Sequence, residues 1–464
     1  MKGFAKGLLF LSGWLLAGWL AWRCWPVETF VVPSPGRQVQ VEGERSKMEQ
    51  AFAEWAARPE LKAAALGFVL LDEKGETAFS SPMGETAMCP ASALKTLTTG
   101  AAFGILGQEF HFETQLIVNA EGDLVLKGGG DPTFSLADLE AMVADAVAGG
   151  LKEVKGGVRV DASVFSSSPV NDHWNWGDLG NAYGAGAYGV NVERNRMMVS
   201  FQPGAKVGDP AVVLRGTPSL SDTVWKNQVL TGPTGSGDGV MVYASPYGRT
   251  VELNGTVPLG GVFEVRAAIS DPPAVALESL KQYLERAGVK VLGKPETELE
   301  ERVLVTHRSD DLTKIIEHLH RVSDNLESQC LFLTLGNHEK SDPAKVVRAY
   351  WEKAGVSFEG LRLLDGSGLA RANMIRPLDL ARVNHVARNA PYGQRFFESL
   401  TASMNGEVRS KIGAMSGVKT DVGFVRLKSG KTFTFALMAN GLGPEVNFWQ
   451  LRGELLETVR RVVY

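Results

Sequence analysis

The hexapeptide Pro90-Ala91-Ser92-Ala93-Leu94-Lys95 decides how the rest of the chain is read. A Ser and a Lys lie three residues apart, directly after a Pro. They open an apolar run (Leu94, Leu97, Ala101, Ile105) with helix-compatible spacing. On a helix, positions i and i+3 share a face. The amine then sits beside the hydroxyl, as an activating base must sit beside its nucleophile. A helix start adds free backbone N–H groups and a positive dipole end. The pattern alone is weak, because Ser-x-x-Lys arises by chance about once in a chain of this size. A second copy, Ser416 to Lys419, is in fact present. The reading therefore rests on the company Ser92 keeps.

Bulk properties narrow the field. A length of 464 suggests two or three domains with ample core. With 44% hydrophobic and 22% charged residues the composition is that of a globular chain. A net charge of −4 implies no basic surface and no nucleic-acid partner. The three Cys (Cys24, Cys89, Cys330) have no metal-type spacing, and Cys89 reads as a small buried hydrophobe. Among the seven His there is no HExxH. In Glu317-His318-Leu319-His320 the two imidazoles point to different helix faces, which disfavours a metal pair.

From the N-terminus, Lys2 and Lys6 precede sixteen uncharged, mostly apolar residues, Gly7 to Trp22, followed by Arg23. This is an export signal or short membrane anchor over residues 1–25. The bulky Trp22-Arg23-Cys24-Trp25 favours an uncleaved anchor, and a cleaved signal is the alternative. Either way the body lies outside the cytoplasm, in the periplasm or its equivalent. Residues 26–44, with Pro26, Pro33, Pro35 and Gly36, read as a linker. Residues 47–64 look helical, 66–71 and 76–80 form a strand pair, and the Ser92 helix follows. Residues 195–270 alternate β-prone runs with Gly/Pro turns, suggesting a β-rich module. An amphipathic helix marked by Leu312, Ile315, Ile316, Leu319 and Val322 breaks at Ser323-Asp324-Asn325 and resumes. Strands near 408–414, 423–427 and 432–439 and a helix at 449–463 close the chain. The ends, 45–101 and 301–464, are expected to build one α/β domain, with 102–300 as an insertion.

Three elements now stand in order: Ser92-x-x-Lys95, Ser323-Asp324-Asn325 and Lys411-Ile412-Gly413. Singly each has an ordinary reading as a helix cap, a polar helix break or a strand-edge charge. Together they match SxxK, SxN and K[ST]G of the serine penicillin-recognising superfamily. Flanking text such as CPASALKTLTTGAA, LVLKGGGDPTFS, VSDNLESQ, DGSGLAR and GFVRLKSGKTFTFALMANG resembles the class C low-molecular-mass penicillin-binding proteins. The resemblance runs from about residue 47 to 464. The long separation of Ser92 from Ser323 also fits that class and disfavours a simple β-lactamase. Ser403-Met404-Asn405 and Lys428-Ser429-Gly430 are read as decoys, the latter in a hairpin turn pointing away from any cleft.

The resemblance implies a transpeptidase-like domain, an antiparallel sheet flanked by helices, interrupted by a large insertion. It implies a D-alanyl-D-alanine carboxypeptidase or endopeptidase acting on peptidoglycan stem peptides, with β-lactams as covalent inhibitors and no metal or organic cofactor. Carried over residue by residue, Ser92 is the nucleophile, Lys95 its base and Ser323 a proton relay. Asn325 and Lys411 bind substrate, and the backbone N–H of Ala414 joins that of Ser92 in an oxyanion hole. Besides lacking the Gly-x-x-Gly-Thr-Leu-like segment expected between Arg388 and Lys411, the sequence departs from the pattern at Ile412, where the family has Thr or Ser, and at Ala414, where a hydroxyl is usual. Those hydroxyls help hold the substrate's terminal carboxylate in the family. The departures favour cleavage of cross-links over trimming of free termini. They equally raise a non-catalytic peptidoglycan-binding homologue as the alternative, with an esterase or β-lactamase as a third reading.

Overall fold

The computed structural model describes residues 47–294 and 300–462. The expected signal or anchor, and the linker after it, lie outside the described residues. No helix among the described residues is long and apolar enough to cross a membrane.

The N- and C-terminal parts of the chain share one six-stranded sheet. Its strands are β1 (Ala65–Leu71), β2 (Thr77–Ser80), β3 (Thr401–Ser403), β4 (Val408–Met415), β5 (Val418–Arg426) and β6 (Thr432–Asn440). They lie in the order β3-β4-β5-β6-β1-β2, and every neighbouring pair is antiparallel. The two ends of the chain meet where Ala65 to Leu71 pairs with Asn440 to Thr434.

Side chains alternate across a strand, and here both faces are covered. Phe68, Leu70, Phe435 and Leu437 pack beneath helices α1 (Lys47–Ala56) and α6 (Phe448–Val462). Val69, Leu71, Ala436 and Met438 face the opposite layer, formed by α2 (Lys95–Leu106), α3 (Leu312–Val322), α4 (Asn325–Glu339) and α5 (Pro377–Asn389). Each large side chain so buried contributes about 1.5–3 kcal/mol. The central helix α2 approaches its neighbours closely: a Cβ on Gly100 would lie 2.6 Å from the Trp351 ring.

The middle of the chain forms a four-stranded sheet, two three-stranded sheets and the helices Leu136–Ala148 and Pro272–Arg286 around a second core. Strand Arg302–Arg308 pairs with Glu113–Val118, and α2 runs on to Leu106. Both cross the expected limits of the insertion at 102 and 300.

Three sequence expectations are corrected locally. Ser92 lies not on the α-helix but on a 3-10 turn, Ala91–Leu94, and α2 begins at Lys95. In 3-10 geometry positions i and i+3 eclipse, so the Ser–Lys juxtaposition survives the change. The first helix ends at Ala56, with Pro59 opening a separate short turn. The middle C-terminal strand starts at Val418 rather than Gly423, because its first half pairs fully with β4 and β6.

Candidate active site

Four segments converge at the start of α2. The first is the 3-10 turn itself. Ala91 takes a left-handed φ of 46° and Ser92 follows half-buried. Lys95, the first residue of α2, is wholly buried, and its Nζ lies within hydrogen-bond reach of Ser92 Oγ at 3.0 Å.

The second segment is the break between α3 and α4. Ser323 ends α3 with φ 59°, ψ 41°. A left-handed Ser is strained by roughly 1–2 kcal/mol. Asp324 then caps α4, accepting from the Glu327 N–H at 3.0 Å. Ser323 and Asn325 thereby project on the same side, and Asn325 Oδ1 accepts from Lys95 Nζ at 2.6 Å.

The third segment is β4. Lys411 is buried, and its Nζ donates to Ser323 Oγ and to the Ile412 carbonyl, each at 2.8 Å. The strand passes directly over the Ser92 turn. A Cβ on Gly413 would stand 2.7 Å from Ser92 N and 2.9 Å from Ala93 N. Only glycine tolerates that approach. Thr420, opposite Gly413 on β5, ties the layers by donating to the Pro90 carbonyl at 2.6 Å.

The fourth segment is the turn Asp365-Gly366-Ser367-Gly368, whose Ser367 carbonyl accepts from Lys95 Nζ at 2.6 Å. The sequence showed it as a tight turn within the family-like stretch DGSGLAR, with no role for the Ser367 carbonyl.

The electrostatics follow from burial. Lys95 is held well below the usual lysine range, first by desolvation and then by the Lys411 charge, with Asp365 and Asp324 opposing. Burial brings Lys411 down to about 8, partly offset by Asp421. His320 on α3 is also buried, between Thr99 Oγ1 at 3.1 Å and Ser399 Oγ at 2.8 Å. Burial, Lys411 and Lys95 push its imidazole well down. Sequence reasoning weighed this His only as half of a metal pair.

All six sequence-predicted positions are therefore brought together: Ser92, Lys95, Ser323, Asn325, Lys411 and Ala414, the last exposed on β4 one residue beyond Gly413. The decoys are not. Lys428 N–H bonds the Arg460 carbonyl on α6, Ser403 faces Arg452, and Ser416 lies past the end of β4.

Residues from the insertion also reach the site; Trp174 and Tyr183 belong to 172–189, a stretch rich in Trp, Tyr, Gly and Asn that reads in sequence as either a groove lining or a packed loop. The Tyr183 carbonyl accepts from Asn325 Nδ2 at 2.8 Å. Arg196 pairs with Asp324 at 2.7 Å, Arg194 pairs with Glu327, and Trp174 Nε1 donates to Asp365 at 2.7 Å. Ligand atoms of His318, Asp324 and Glu327 lie within 4.8 Å of one another. Their charges are already met by Arg194, Arg196 and the His318 Nδ1 contact, so the cluster reads as an ion-pair network.

This sheet-and-helix frame, with a Ser-Lys pair at its centre, is the fold of the penicillin-binding proteins. It superposes on the crystal structure of penicillin binding protein 4 (dacB) from Haemophilus influenzae with a TM-score of 0.76 at 22% identity. The match covers 88% of this chain and 99% of the other. The chain belongs to the D-Ala-D-Ala carboxypeptidase 3 (S13) family, whose model matches residues 48–450. Among relatives, a D-alanyl-D-alanine carboxypeptidase of Actinomadura sp. (strain R39) is 30% identical over 82% of this chain and 79% of its own. D-alanyl-D-alanine carboxypeptidase DacB of Haemophilus influenzae is 24% identical over 81% and 85%. These findings bear out the class C low-molecular-mass penicillin-binding protein resemblance.

Proposed function

We propose that the protein is a serine D,D-peptidase that cleaves D-Ala–D-X bonds in peptidoglycan stem peptides outside the cytoplasm, through an acyl-enzyme on Ser92. The observation that carries this is the bonding of Lys95. Its Nζ has three partners: Ser367 O, Asn325 Oδ1 and Ser92 Oγ. A neutral amine has two N–H bonds and one lone pair. The carbonyl and the amide oxygen accept but cannot donate, so they take the two N–H bonds. The lone pair is left facing the Ser92 hydroxyl, as a general base requires. The depressed basicity of Lys95 supports that neutral state.

The remaining roles follow. Ser92 Oγ attacks the carbonyl of the penultimate D-Ala, and Lys95 takes its proton. The negative charge that develops on the carbonyl oxygen meets the N–H groups of Ser92 and Ala414. In a strand, backbone groups alternate between the two edges. The Ile412 carbonyl faces Lys411 Nζ, and Ala414, two residues on, shares that edge. Such a donor contributes ~3 kcal/mol. Ser323, bonded to Lys411, passes a proton to the leaving amine. Water then releases the acyl group.

Ile412 supports a preference for cross-links. It is 46% exposed at the cleft edge and offers no hydrogen bond to a free terminal carboxylate. A cross-link made through a lysine-type side-chain amine carries no carboxylate at that position.

Labelling with fluorescent penicillin tests the mechanism. Covalent labelling lost in Ser92→Ala is expected, with turnover down about three orders of magnitude or more. No labelling of the wild type at high drug concentration would leave a peptidoglycan-binding protein without turnover. Mass analysis of digested cross-linked muropeptides tests the preference, and release of terminal D-Ala alone would refute it.

A further inference from the structure

Outside the three motifs, the most completely engaged buried group next to the site is the Asp365 carboxylate. It is fully buried and accepts from six donors. Oδ1 takes the Gly368 N–H at 2.9 Å and Asn373 Nδ2 at 2.7 Å. Oδ2 takes Trp174 Nε1 at 2.7 Å, Ser367 Oγ at 2.9 Å, and the Leu369 and Ala370 N–H groups at 3.1 Å each. Only an acceptor-only side chain fits this shell. An Asn would turn its NH2 toward two or more of these donors. The contacts wind residues 365–370 into a tight turn, and that turn aims the Ser367 carbonyl at Lys95 Nζ, 2.6 Å away. Gly368 lets the turn press on the nucleophile's own loop, since a Cβ there would stand 2.0 Å from the Ala91 carbonyl.

We infer that Asp365 is the positioning residue for Lys95: its carboxylate folds the turn that orients the amine toward Ser92, and its charge is the buried counter-charge facing that amine. Trp174 makes the insertion a partner in this arrangement. The inference rests on the Ser92–Lys95 mechanism proposed above.

The charged and titratable groups around Lys95 come from every element packed on it. Lys411 on β4 opposes its protonation, while Asp365 on the turn and Asp324 at the start of α4 favour it. Arg196 partly neutralises Asp324. His320 on α3 is uncharged at neutral pH. Cys89, near Asp365, is buried with its thiol pushed up by desolvation. Removing the Asp365 charge therefore makes Lys95 lose its proton at lower pH. Acylation requires the neutral amine, so the acid limb of the acylation profile moves down.

The test is the rate of penicillin acylation of the full chain across pH. For Asp365→Asn the acid limb is expected about one pH unit lower, as when an opposite charge is lost from a buried site. For Asp365→Glu the charge stays but the turn is displaced. The limb is expected to hold while the maximal rate falls about 10- to 100-fold. Trp174→Phe is expected to lower the unfolding midpoint and leave the limb in place. An unmoved limb in Asp365→Asn overturns the proposal, as does a wild-type rate in Asp365→Glu. So does a limb in Trp174→Phe that moves as far as in Asp365→Asn, which would trace the effect to a loosened turn. If Asp365→Asn does not fold, the Glu variant decides. Labelling that persists in Ser92→Ala would instead refute the underlying mechanism.

Discussion

Behind Ser92, the side chains of Lys95 and Lys411 are buried, and the hydrogen-bonding partners around them are supplied by four separate segments. In front, on the same strand that carries Lys411, Ile412 and Ala414 stand exposed at the cleft edge. The back wall leaves little room for substitution, since each buried polar atom needs a partner. The front edge meets water and substrate, and it can change without unfolding anything. The two side-chain departures within the third motif, Ile412 and Ala414, both fall on the front edge. Under the proposed mechanism, the buried Lys411 side chain would serve the bond chemistry and the exposed Ile412 side chain the choice of substrate, one residue apart on a single strand.

The largest expected effect breaks the back wall. Gly413→Ala would place a methyl 2.7 Å from Ser92 N and 2.3 Å from Thr420 Oγ1. β4 must then lift from the Ser92 turn. Acylation is expected to fall about 100-fold, with a stability loss of about 1–3 kcal/mol. Penicillin-labelling kinetics and thermal unfolding would measure the two, and unchanged labelling would show that the contact does not matter.

A middle effect concerns the residue that joins the two sides. Lys411 is held at about 8. Its folded value lies below the ordinary lysine value, so it loses its charge early as pH rises. Acylation by a carboxylate-bearing β-lactam is expected to decline with a midpoint near 8. Lys411→Arg, charged throughout this range, should retain whatever activity it has without that decline. A profile flat to pH 9.5 (about 1.5 units above, where nearly all Lys411 is neutral) would discount the Lys411 charge.

The smallest effect sharpens the front edge. Ile412→Thr restores a hydroxyl on an exposed position and disturbs no core. KM for a peptide with a free D-Ala terminus is expected to fall about tenfold, the value of a hydrogen bond to a charged group. Cleavage of cross-linked dimers should stay level. Equal gains on both substrates would remove Ile412 as the source of preference.

The chain made parts of this legible and hid others, for physical reasons. The Ser92–Lys95 pair, the break at Ser323 and the buried strand 66–71 are local: i to i+3 spacing, a polar interruption and an apolar run suffice. The 3-10 start of α2 was not readable, because the pressure of Gly413 and Gly368 on that turn comes from residues hundreds of positions away. The first half of β5 was missed for a related reason. Lys419, Thr420 and Asp421 look like a polar loop, yet Thr420 and Asp421 are buried. They bond Pro90 and Arg452. For Trp174, Tyr183, Arg194 and Arg196 the sequence offered at most an aromatic-rich stretch at 172–189; their partners were hidden because these lie far along the chain, in another part of the fold.

Those last four contacts bear on how short such a protein could become. Asp324, Glu327 and Asp365 have side chains with no solvent access, and their charges are met in part by Arg196, Arg194 and Trp174. Excising the middle of the chain to reach a minimal hydrolase would strip three interior acids of those partners at once. A stranded acid of this kind costs about 3–5 kcal/mol, so any viable truncation would have to replace these acids with apolar residues in the same step.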